Sequence, residues 1–177
     1  MSKKRVFSIV IFAFIIAILF ANAVLASDVK KDYGQIGTAL METELVGLIK
    51  IGLTDKDVIK ILGKDAVKGK AEVWGADGLT HQDWNYKKAG VSLGFVNSGK
   101  KWLVSTISVE KPCDFKTARN IGIKSTRAEV CKAYENEIDP ENAGDASKII
   151  AGSLFGGVVF TIEKDVVTAI FIGASAE

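Results

Sequence analysis

A pattern at residues 49–59 returns 72 positions later: Ile49, Ile51, Thr54 and Val58 meet Ile121, Ile123, Thr126 and Val130, and Asp57 meets Glu129. A duplicated pattern constrains a fold more than composition does, because both copies are expected to form the same unit and bury the same face. In each copy a threonine is followed three residues later by a carboxylate. Apolar residues then follow at helical spacing: Val58, Ile61 and Leu62 in the first, Val130, Ala133 and Tyr134 in the second. Thr54 and Thr126 are therefore expected to N-cap short helices, each hydroxyl accepting a hydrogen bond from a backbone N–H that the first turn leaves unpaired. An amphipathic stretch precedes each cap, at 33–49 and at 114–120, so each copy is expected to begin with a pair of helices.

After each pair the apolar period shortens from about 3.6 residues to 2, which predicts strands. The first copy offers strands at 71–74, 83–86, 91–96 and 102–109, separated by Gly75-Ala76-Asp77-Gly78, Lys87-Lys88-Ala89-Gly90 and Asn97-Ser98-Gly99-Lys100. The second offers 149–155, 158–162 and 166–172, with Glu163-Lys164-Asp165 as the last turn, after a long polar loop at 135–145 that contains Pro140 and Gly144. Short turns between successive strands imply antiparallel hairpins. The expected fold is α+β: two tandem repeats, 27–110 and 111–177, each a helix hairpin packed on one face of an antiparallel sheet.

The residues carry a family resemblance. Gly52, Leu53, Thr54 and Val58, then Trp84 and Tyr86, then Gly90, Val91, Leu93 and Phe95 form a series that resembles the beta-lactamase inhibitory protein (BLIP)-like fold, which is shared with outer-membrane assembly lipoproteins of the SmpA/OmlA type. Thr126, Val130, Gly157, Val158 and Phe160 supply the second copy, and the tandem form is closer to the inhibitor. Lys124 departs from the pattern, standing where the first copy has Gly52. The resemblance implies a protein-binding role through an open sheet and an acid-bearing hairpin, and it speaks for fold more than for activity.

At the N-terminus Lys3, Lys4 and Arg5 precede an apolar run from Val6 to Phe20 and small-residue sites ending at Ala23 and Ala26. This is the order of a secretory signal peptide covering 1–26, and it predicts a periplasmic or secreted protein. The apolar stretch continues weakly to about Leu25, which makes it long enough to span a bilayer if it stays uncut, so membrane association is expected only in that case. With no cysteine near either site, an acylated anchor is not expected. Removal of 1–26 takes three basic residues and none of the 21 acidic ones, leaving a near-neutral chain. The pI of 8.4 thus owes much to the leader. No basic stripe remains, which argues against nucleic-acid binding.

Cys113 and Cys131 are the only cysteines. In an exported chain a Cys113–Cys131 disulfide is expected, the ends of a helix hairpin facing each other, and closing that loop contributes on the order of 3 kcal/mol. The alternative is two separate thiols. His81 is the only histidine, which argues against zinc; as a single imidazole it reads as a solvated loop residue. No serine with a histidine partner, phosphate-cradling glycine loop or paired catalytic carboxylates occur, so no enzyme activity, metal or cofactor is expected.

Aromatics gather in the first sheet. Strict alternation through 102–109 sets Leu103, Ile107 and Val109 on one face and Trp102, Val104 and Thr106 on the other. If the first set faces the helices, Trp102 faces outward, on the side that a one-sided layer of helices leaves open. Trp84 and Tyr86 with Asp83, and Asp77 in the adjoining glycine-rich turn, complete a candidate partner-binding surface. The alternative for the aromatics is ordinary core packing, and for the acids ordinary turn formation. The expected function is an exported, non-enzymatic module that binds another envelope or extracellular protein. Alternatives are an envelope component held by an uncleaved N-terminal anchor, and a carrier of small ligands or peptides.

Overall fold

The computed structural model describes residues 31–142 and 144–174, and the proposed leader lies outside them. Helix α1 spans Tyr33–Thr43 and is capped by Asp32, whose side chain accepts from the N–H groups of Gly34 and Gln35. Helix α2, Asp55–Leu62, and helix α3, Arg127–Ala133, start where the two threonines predict. Thr54 accepts from the Asp57 N–H, and Thr126 with Glu129 closes a reciprocal capping box. No helix among the described residues is long and apolar enough to cross a membrane.

The strands are β1 (Val67–Lys68), β2 (Glu72–Val73), β3 (Thr80–Tyr86), β4 (Val91–Ser98), β5 (Lys101–Glu110), β6 (Lys148–Ser153), β7 (Gly156–Glu163) and β8 (Val166–Gly173). They form one antiparallel sheet in the order β1-β3-β4-β5-β8-β7-β6, with β2 pairing β3. The fold is α+β, a few helices on an antiparallel sheet. The two meanders are not separate sheets: Ile107–Glu110 of β5 pair with Ala169–Ile172 of β8. The first halves of these strands turn to other partners. Val104 exchanges backbone hydrogen bonds with Gly52 and Leu53, and Val167 does so with Lys124 and Ser125.

One core serves the whole sheet. Trp84, Leu93, Phe95 and Ile107 from the first meander and Ile149, Phe160, Ile162 and Ile170 from the second are buried together with Leu40, Val58, Val130 and Tyr134 from the helices. Each large apolar side chain so buried contributes about 1.5–3 kcal/mol. Helix α1 lies on β6 and β7. The approach is backbone to backbone, since a Cβ on Gly37 would collide with the Gly156 carbonyl oxygen and one on Gly152 would collide with Gly37 itself.

Three expectations are corrected. Residues 114–120 are not a helix; Thr117 bridges to Val46 and Lys116 to Gly122, so this stretch is stitched to the loop after α1. Its seven residues could form only about two turns, too few to offset the cost of helix nucleation without packing. For the same reason no second helix hairpin exists to bring the cysteines together. Both are free thiols, Cys113 buried and Cys131 exposed, and the expected disulfide is absent. Burial pushes the Cys113 thiol above its ordinary pKa.

The third correction concerns the phase of β5. The register opposite β4 shifts between Gly94 and Phe95: Gly94 pairs with Thr106 but Phe95 pairs with Val104, leaving Ser105 as an extra residue. Such a bulge moves every side chain beyond it to the other face. Trp102 therefore shares the face of Val104, Ile107 and Val109, packs partly buried against the core, and does not face outward.

Candidate functional site

In β3 the sequence Thr80-His81-Gln82-Asp83-Trp84-Asn85-Tyr86 alternates, and the core takes the even positions Trp84 and Tyr86. Trp84 is only 2% exposed; its indole N–H donates to Gln82 Oε1 at 2.9 Å, its ring lies 4.5 Å from Phe95, and Lys68 Nζ sits 3.4 Å from its centroid. Tyr86 donates to the Gly63 carbonyl at 3.4 Å, and burial pushes its phenol pKa up. Two of the predicted surface aromatics are thus core residues, and Trp102 is half-buried on the same side. They do not supply an exposed aromatic surface.

The odd positions of β3 carry His81 and Asp83. His81 lies in a strand and not in a loop, and its ring stacks on Trp74 with centroids 3.9 Å apart and planes 10° from parallel. Its Nε2 lies 2.9 Å from Asp77 Oδ2. The other oxygen of Asp77 accepts the Leu79 N–H at 2.9 Å, while Trp74 and Leu79 close the turn through Trp74 N–H to Leu79 O at 3.0 Å. The Leu79 N–H, then His81, hold the Asp77 carboxyl below its usual pKa. Asp77 therefore acts as a turn former whose free oxygen orients the imidazole. Gly78 occupies a positive φ of 70°, which a side chain would strain.

This hairpin borders a cleft of about 680 Å³. Helix α1 contributes Thr38, Met41 and Glu42, the sheet contributes His81, Asp83, Val96, Leu103 and Thr106, and the hairpin contributes Trp74. Trp74 is 39% exposed. Asp83 is exposed at the cleft, whereas Asp77 reaches it only through His81. The charged carboxylates of the lining are Glu42 and Asp83, and no lysine or arginine lines it. No group of three or more His, Cys, Asp or Glu side chains suited to a metal ion occurs among the described residues.

Of the predicted surface, then, Asp77 and Asp83 are brought to one hairpin and strand, and the aromatics are not. Trp74, His81, Met41 and Glu42 were missed as site residues. A signal was available for two of them. Trp74 and His81 flank Gly75-Ala76-Asp77-Gly78, and His81 lies two residues before Asp83, so strand alternation sets both on one face. Nothing local points to α1, which arrives from elsewhere in the chain. No protein-family model, curated protein or solved structure matches this chain.

Proposed function

We propose that this chain is an exported, non-enzymatic module that binds another envelope or extracellular protein, and that it does so through the cleft between the Trp74 hairpin, the sheet and α1. The observation that carries the reading is the exposed Trp74, fixed in place by His81 and Asp77 at the mouth of the cleft. A large amphipathic ring ordered before binding loses little entropy on contact, which is why such rings anchor protein interfaces. A photo-crosslinking residue at Thr106 should capture a discrete partner protein in living cells, and one at the exposed Lys132 of α3 should not. No product from Thr106, or equal products from both positions, sinks the reading.

The BLIP-like duplication belongs to the same proposal. Several paired features support it: threonine caps at Thr54 and Thr126, positive φ at both Gly52 (84°) and Lys124 (76°), and isolated bridges from the caps to Leu103 and Val166. The strand order 3-4-5-8-7-6 is that of two like meanders meeting through their last strands. A carrier role is a second reading, favoured by the cleft volume, which lies within the range of small-molecule sites.

A further inference from the structure

We infer that the cleft receives a basic side chain, lysine or arginine, from the partner protein. The inference rests on the cleft being the binding surface and goes on to name the chemistry that fills it. Its lining combines two environments. Met41, Val96 and Leu103 are apolar, while Glu42 and Asp83 are exposed carboxylates. Neither carboxylate forms an ion pair among the described residues, although Asp57, Asp65, Asp77 and Glu137 all do.

Lysine and arginine match both environments at once, because an aliphatic stem can lie on apolar surface while the cationic head reaches a carboxylate. Trp74 adds an aromatic ring, and a cation over an indole gains further attraction. An acidic segment would instead set like charges against Glu42 and Asp83 with no lysine or arginine in the lining to offset them. A purely apolar segment would leave the carboxylates facing it without partners.

The test uses the ¹⁵N-labelled protein as recovered from cells and three blocked tripeptides that differ only at the centre: Leu-Lys-Leu, Leu-norleucine-Leu and Leu-Glu-Leu. The lysine peptide should shift the backbone amides of residues 80–83 and 103–106, and bind roughly tenfold tighter than the norleucine peptide, the ratio that one charge-assisted contact provides. Glu42→Gln with Asp83→Asn, both exposed isosteric changes, should erase that ratio while the remaining amide spectrum stays unchanged. If the norleucine or glutamate peptide shifts these amides equally well, the basic side chain is wrong but the cleft stands as the binding surface. If none of the three shifts them up to about 10 mM, at which even a contact worth roughly 3 kcal/mol is visible, the cleft reading and this inference fall together.

Discussion

Glu44 is the residue whose loss should be felt most. It is 3% exposed, yet it accepts from the Tyr134 hydroxyl at 2.9 Å, the Ala118 N–H at 2.9 Å and the Leu45 N–H at 3.2 Å. Arg119 approaches at 3.8 Å while forming a two-pronged pair with Glu137 at 2.7 and 3.1 Å. One carboxylate therefore ties the end of α1 to the stretch before α3 and to α3 itself. Glu44→Ala should lower the unfolding free energy by about 3 kcal/mol in urea titration, because it removes the carboxylate that a buried hydroxyl and two backbone N–H groups share beside Arg119. Trp74→Ala should change stability by less than about 0.5 kcal/mol in the same assay, as expected of a substitution away from the core. Acid should act on a different set. Hydrogen bonds from the cap threonines hold Asp57 and Glu129 below their ordinary values of 3.8 and 4.5, and the Leu79 N–H does the same for Asp77. Lowered carboxylates stabilise the fold above those ordinary values, and the contribution is lost as pH falls through the folded-state values. The midpoint for thermal unfolding should hence decline below about pH 4.5, and Asp57→Asn with Glu129→Gln should flatten that decline.

At the scale of elements, the threonine caps and the places of β4, β7 and β8 were legible because their signals are local: a hydroxyl three residues before a carboxylate, or a run of apolar and β-branched residues between turns. What was not legible depended on partners distant in the chain. The Ser105 bulge is set by where Gly94 must meet Thr106, and a Cβ on Gly94 would strike the Thr106 hydroxyl, so that close pairing fixes the slip. The 114–120 stretch has helical spacing, but its hydrogen bonds go to Gly47, to the Glu44 carboxylate and to Ile121 instead of along a helix. Lys124 shows a conflict between local preference and fold, held at φ 76° by Lys124 N–H to Val167 O and by the cap that follows. A left-handed residue with a Cβ costs roughly 1–2 kcal/mol, so Lys124→Gly should raise stability by up to about 1 kcal/mol, and Gly52→Ala should lower it by about as much. Calorimetry on the pair checks both signs. Gly37→Ala should be more severe, at about 3 kcal/mol or complete loss of the α1 contact, since the collision is with backbone and cannot be relieved by a rotamer.

For the molecule as a whole, the helices and antiparallel strands were legible, whereas the expectation of two separate sheets gives way to a single sheet over a single core. The core runs unbroken from Trp84 to Phe160 across the β5–β8 ladder. Residues 32–174 should therefore unfold in a single transition by circular dichroism and tryptophan fluorescence alike, and the isolated segment 27–110 should show no cooperative unfolding, having lost the seat of α1 and the partner of β5. The same seating bears on the order of events during synthesis. Helix α1, near the start of the described residues, rests on β6 and β7, among the last strands to be made, and such late-closing contacts slow folding. Until that hairpin emerges, α1 has nowhere to dock. The β6–β7 hairpin thus acts as the clasp that closes the fold, late in synthesis, over a helix made long before it.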